Sequence, residues 1–133
     1  ATSSWSSAGC CAGRRAGIYV AQVLYTKISR RKHFAILNGG FSHNMAACGF
    51  GQFIRRNFCI STVQKNRATE NETVSLAGPS CYSLDILATD VELPRLAPGD
   101  FVVVHNSGAY GAQFSPSQFL QFEPAAEYFL KRS

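Results

Sequence analysis

Charge is scarce in this chain of 133 residues. Asp, Glu, Lys and Arg together make up 16% of it, with only four lysines (Lys27, Lys32, Lys65 and Lys131), one Trp and one Met. Scarce charge beside 46% hydrophobic residues argues against a disordered chain and for a folded one. No apolar run approaches the roughly 20 residues of a membrane-spanning helix, so no membrane segment is expected and the chain reads as soluble. The five cysteines are an odd number without regular spacing: Cys10 and Cys11 are adjacent, while Cys48, Cys59 and Cys81 stand alone. That pattern supplies neither a zinc motif nor a disulfide framework. No metal site is expected, the compartment reads as reducing and cytoplasmic, and Cys48 and Cys59 read as small core residues. No internal repeat appears, and no charged segment precedes an apolar stretch as in a signal peptide. Asn71-Glu72-Thr73 has the form of a glycosylation acceptor but carries little weight without a secretory context.

What charge there is leans basic. Thirteen Lys and Arg against eight Asp and Glu give a net +5, gathered at Arg14-Arg15, Lys27 to Lys32 and Arg55-Arg56. Short clusters without a long basic tail read as a solvated face in preference to a nucleic-acid footprint. A nearby phosphate or carboxylate ligand is a third way to use them. The length suits one domain with a proper core.

Residues 1–15 are Ser-, Ala-, Gly- and Cys-rich without periodicity and read as an irregular leader, with the domain spanning 16–133. Ile18 to Tyr25 and His33 to Leu37 read as strands, the latter stopped by Asn38-Gly39-Gly40. Ser42 is an N-cap candidate for a short helix to Cys48. Phe53 to Ile60 reads as a strand with one wet face, and Gln64 to Asn71 as a mobile loop. Further strands are expected at Glu72 to Ala77, Asp100 to Asn106 and Glu127 to Lys131. A helical turn is expected over Ser83 to Ala88, a loop from Pro94 to Gly99, and a turn or short helix at Ser115 to Phe119. Many short strands punctuated by Gly and Pro predict an all-β domain, a sandwich or barrel of about six to eight strands with one or two short helices.

Two stretches concentrate chemistry. Gly78-Pro79-Ser80-Cys81-Tyr82-Ser83-Leu84-Asp85 and Ser107-Gly108-Ala109-Tyr110-Gly111 each follow an apolar strand, so their side chains project from the rim of a sheet. A rim thiol at Cys81 can serve as proton donor or nucleophile; buried, it would be only a small core residue. Tyr110 can bond a phosphate or flank a planar ligand, or else plug a strand end, and Gly108 and Gly111 let the backbone approach closely. Asp85 reads equally as a site carboxylate or as a charge at a helix N-terminus before Ile86-Leu87-Ala88.

The pair in this order, with Asp85-Ile86-Leu87-Ala88, Glu92-Leu93-Pro94 and Gly99 to Val104 between them, resembles the C-terminal domain of fold-type III pyridoxal-phosphate decarboxylases of diaminopimelate, ornithine and arginine. Asn38 to Asn44 and Gly51 to Asn57 resemble most closely the branch linked to exosortase and exopolysaccharide gene sets. The resemblance runs from about Gly17 to Leu130. It implies that Cys81 enters a partner subunit's active site and helps protonate the product, that Tyr110, with Gly108, contacts the pyridoxal phosphate, and that Asp85 pairs across a homodimer interface. It also implies a (β/α)₈ barrel carrying the Schiff-base lysine. No lysine here lies in such a context, so the chain alone is expected to bind no cofactor and to be inactive. Two departures bear on substrate: Tyr82 follows the cysteine where an acid is usual, and Asn38 stands where several members carry Asp. A neutral side chain at either position cannot make a charge-assisted bond to a distal ammonium. The arginine that grips the far carboxylate of diaminopimelate has no match near Ala46-Ala47. A stand-alone, non-catalytic binding or assembly module with the same fold is the alternative.

Overall fold

In the computed structural model, residues 17–49, 56–64, 70–108 and 111–131 are described. Six strands make one sheet: β1 (Tyr19–Ser29), β2 (Lys32–Leu37), β3 (Ile60–Val63), β4 (Asn71–Ala77), β5 (Ile86–Pro94) and β6 (Phe101–Val104), in the order β3-β6-β1-β2-β4-β5. All neighbours are antiparallel except β2 and β4, which run parallel with His33 beside Val74 and Ile36 beside Ala77. A one-turn helix, α1 (Gly111–Phe114), and a 3₁₀ turn at Phe119–Gln121 follow.

The sheet curls into a nearly closed barrel, and side-chain amides close the seam between its end strands. Asn57, ahead of β3, forms a reciprocal pair with Thr89 of β5: its Nδ2 donates to the Thr89 carbonyl at 2.7 Å and its Oδ1 accepts the Thr89 N–H at 3.0 Å. Beyond the other end of β3, the Gln64 amide donates to the Arg95 carbonyl at 2.8 Å. Inside lie Ala21, Val23, Ala35, Leu37, Val74, Leu76, Leu87, Leu93, Val102 and Val104, with Phe41, Met45 and Cys48 sealing one end. At ~1.5–3 kcal/mol for each large apolar side chain buried, this interior is the main stabilising term.

The all-β expectation holds, and its boundaries need correction. The expected helical turn at Ser83 to Ala88 is instead the entry into β5, a strand that the sequence pattern does not predict. Its alternation is broken where Ala88 faces in and Thr89 and Asp90 both face out, with Asp90 at φ 49°. The Ser75 hydroxyl accepts the Asp90 N–H at 3.1 Å and supports this bulge. An interrupted period of two hides a strand from pattern reading. Asp85 therefore precedes a strand, and its reading as a helix N-terminal charge falls. The helix expected over Ser42 to Cys48 is a run of turns. The strand expected at Phe53 to Ile60 lies later, at Ile60–Val63; residues 53–55, like 65–69 of the expected loop, lie outside the described residues. Glu127 to Lys131 forms no strand, and Tyr128, Phe129 and Leu130 stand exposed. Cys48 is buried as expected, whereas Cys59 is exposed. Among the described residues, no helix is long and apolar enough to cross a membrane, and no group of His, Cys, Asp and Glu could hold a metal ion.

Candidate functional site

β2 delivers the chain to Asn38-Gly39-Gly40, and each of the three residues has its own task. Asn38 extends the pairing with β1 by side chain as well as backbone: its N–H donates to the Gln22 carbonyl and its Oδ1 accepts the Gln22 N–H, both at 2.9 Å. Gly39 leaves room for Tyr19 and His43, because a Cβ there would overlap the Tyr19 hydroxyl and the His43 ring. Gly40 leaves room for Asp85, because a Cβ there would overlap its carboxylate and come within 2.8 Å of Gly78 Cα. Glycine is the residue type that permits such approaches.

Asp85 turns inward. It is 3% exposed, and its Oδ1 accepts the Phe41 N–H at 2.7 Å. Its Oδ2 accepts the Ser80 N–H at 3.0 Å and, more closely, the Ser80 hydroxyl. A buried carboxylate is tolerated when it is supplied with donors in this way. Gly78, whose Cβ would also strike this carboxylate, donates its N–H to the Asp85 carbonyl at 2.9 Å. Loop 78–85 is thus wound around its own last side chain. Wound this way, it leaves Cys81 and Tyr82 exposed, with the Tyr82 ring edge-on to Phe41 at 4.9 Å between centroids.

The second motif is tied to the same segment. Asn44, 1% exposed, donates from Nδ2 to the Ser107 hydroxyl at 2.9 Å, and Ser107 donates to the Val104 carbonyl at 3.1 Å. Gly108 is exposed beside Gly17, where a Cβ on Gly17 would lie 2.8 Å from the Gly108 nitrogen. Tyr110 lies outside the described residues. The Ser115 hydroxyl accepts the Met45 N–H at 2.8 Å. His43 donates from Nε2 to the Glu123 carbonyl at 2.6 Å, which leaves Nδ1 to accept the Tyr19 hydroxyl at 3.0 Å. Burial pushes the Tyr19 phenol well above the usual tyrosine range, and Cys48 and Asp85 add to the shift, so Tyr19 stays a neutral donor.

Segment 38–48 is therefore a hub. It links the Cys81 loop through Phe41, the Ser107-Gly108 turn through Asn44, and the C-terminal stretch through His43. Asn38 opens it, and Tyr82 and Asp85 meet it at Phe41. Tyr19, His43 and Asn44 are the members that reading the sequence missed. The double glycine after a strand was the available signal, though it read simply as a stop.

Residues 11–108 match the family described as pyridoxal-dependent decarboxylase, C-terminal sheet domain. The chain belongs to this family. The L-glutamyl-[BtrI acyl-carrier protein] decarboxylase of Niallia circulans is 41% identical over 122 residues, which are 90% of this chain and 28% of that protein. The solved diaminopimelate decarboxylase of Helicobacter pylori, complexed with L-lysine, shares the fold at a TM-score of 0.67 and 28% identity over 80% of this chain and 25% of its own. The lysine/ornithine decarboxylase of Vibrio vulnificus, complexed with cadaverine, gives 0.69 and 26% over 81% and 28%. The chain thus spans about a quarter of the length of the relatives it matches, 28% for the first.

The described residues do not by themselves fit the family's pyridoxal phosphate. Its aldehyde needs a lysine amine. Lys27 lies over the Phe34 ring, 5.9 Å from its centroid, Lys32 is paired with Asp90 at 3.1 Å beside the β1–β2 turn, at the other end of β2 from the hub, and Lys131 is exposed in the irregular C-terminal stretch. What the rim offers is a thiol, a phenol ring and backbone amides.

Proposed function

We propose that this chain is the part of a pyridoxal-phosphate-dependent decarboxylase that completes an active site held mainly by a (β/α)₈ barrel outside it. The observation that carries the reading is the internal fastening of loop 78–85 by Asp85, which leaves the Cys81 thiol exposed on a fixed rim. A side chain held by its scaffold keeps its position when a second surface closes over it. Cys81 is then the proton-carrying group this chain contributes, Tyr110 and Gly108 face the cofactor, and Asp85, expected to pair across the interface, has both oxygens taken within this chain and acts instead as a positioning residue. The site forms in a cytoplasmic homodimer, across its interface, and the chain alone binds no cofactor. Within the family, the exosortase- and exopolysaccharide-linked branch is the placement that Asn38 to Asn44 supports.

The substrate is an α-amino acid whose distal end carries no ammonium. Tyr82 and Asn38 are neutral where charge would be needed, and Asn38 Oδ1 is already engaged by the Gln22 N–H. The Niallia relative, with its glutamyl group carried on a protein, acts on a substrate of this kind by its name. The test is to supply a relative's barrel in trans and measure carbon dioxide release from glutamyl-carrier protein, lysine and diaminopimelate. Release from the glutamyl substrate is expected, with Cys81→Ala slowing solvent-deuterium incorporation into product more than substrate binding. Preference for lysine, or full activity of Cys81→Ala, would refute the reading.

A further inference from the structure

The end of the barrel opposite the hub holds a feature the site does not use. β1 and β2 are joined by Arg30-Arg31 alone, with Ser29 paired to Lys32. Both arginines have positive φ, 49° and 65°. A two-residue hairpin turn with both residues left-handed favours Asn-Gly, since a side chain with a Cβ is strained in that region. The chain places two arginines, the longest kind of cationic side chain, there instead. Arg30 and Arg31 are exposed, and Lys27 and Lys32 stand beside them, making four cations within six residues.

We propose that this hairpin tip docks the acidic face of a carrier-type protein that delivers a tethered acyl substrate. The identity of the partner rests on the decarboxylase reading above; the docking surface does not. Backbone strain retained at an exposed, non-catalytic turn points to a use for the side chains that cause it. The surface is also of mixed character. Ile28 on β1 is 68% exposed, and an apolar side chain beside the arginines suits a protein partner. Glu72 and Asp90 sit just behind the tip, paired with His33 at 3.2 Å and with Lys32 at 3.1 Å. The six residues of β2 separate the tip from the hub by roughly 20 Å at ~3.3 Å per residue. A free amino acid gains nothing from a dock that far away. A substrate on a flexible tether can reach the rim while its carrier is held at the tip.

The test compares the chain with Arg30→Asn/Arg31→Gly, using a purified acyl-carrier protein and, separately, a short DNA duplex as fluorescent probes. The variant supplies the residues the turn favours, so its melting temperature should rise while carrier binding falls at least about tenfold. Binding by the parent chain should weaken similarly between about 50 and 300 mM salt, where screening removes surface attraction. Opposite signs for stability and binding separate lost docking from lost folding. Undetectable carrier binding, equal binding by the variant, or tighter binding of the duplex would each overturn the proposal. If the barrel-complemented protein decarboxylates its substrate while the carrier fails to bind, only the docking inference falls. If the carrier binds and nothing is decarboxylated, only the decarboxylase reading does.

Discussion

Replacing Gly40 with alanine tests whether the Asp85 carboxylate is what holds the hub to the Cys81 loop. The new methyl would overlap that carboxylate and crowd Gly78 Cα at 2.8 Å. One side must retreat, and the 2.7 Å bond from the Phe41 N–H to Asp85 Oδ1 is the first contact to open. A hydrogen bond to a charged group contributes ~1.5–3 kcal/mol, and forcing a methyl into a packed site costs a further ~1–3 kcal/mol. Gly40→Ala should therefore destabilise the domain by about 3–5 kcal/mol, a large part of the ~5–15 kcal/mol typical of a domain. Asp85→Ala should cost a similar amount, because it strands the buried Phe41 N–H at ~1–3 kcal/mol and removes the hydrogen bonds to the charged group from half-buried Ser80 at ~1.5–3 kcal/mol. The double variant is the decisive species. With the carboxylate gone, the methyl introduced by Gly40→Ala occupies vacated space, and the same bond is not lost twice. The combined loss should fall short of the sum by about 2–3 kcal/mol, as expected for directly coupled residues. Urea unfolding of the four proteins, followed by circular dichroism, gives the cycle. Losses that add to within ~0.5 kcal/mol would show that Gly40 and Asp85 act independently, and the fastening argument would fail.

Three further outcomes are expected. Tyr19 is held neutral in the folded state while the unfolded phenol ionises near pH ~10; its contribution is therefore intact below that pH and lost as pH rises above it, so Tyr19→Phe should unfold at higher alkaline pH than the parent in a titration followed by circular dichroism. His43→Ala removes the donor to the Glu123 carbonyl, and proteolysis within 122–131 should speed up several-fold while the rest of the domain stays resistant; unchanged cleavage would show that His43 does not hold that stretch. Asn57→Ala should cost ~0.5–1.5 kcal/mol per hydrogen bond lost at this exposed seam and raise hydrogen exchange at Thr89 and its β5 neighbours, whereas unaltered exchange would place the barrel's closure elsewhere.

The class of fold was legible in the chain because strands advertise themselves locally. β1, β2, β4 and β6 are β-branched or aromatic runs bounded by Gly, Asn and Pro, and those preferences act between neighbouring residues. The rim position of Cys81 was legible for the same reason, since Gly78-Pro79 fixes a turn wherever the rest of the chain goes. β5 was not, because its bulge at Thr89-Asp90 is supported from β4 by Ser75, 15 residues away, and breaks the pattern that would reveal it. Glu127 to Lys131 erred the other way: strand-forming residues make no ladder without an edge to pair with, and propensity cannot supply one. Asp85 shows the division most clearly. The sequence determined that a carboxylate follows the cysteine loop and that two glycines follow β2. Tertiary structure alone decided that the carboxylate turns inward between Gly40 and Gly78, since its donors on Phe41 and Ser80 converge only when the barrel brings β2 and β4 side by side. A buried charge is stable only where donors arrive from several parts of the chain at once, and no local pattern records that meeting.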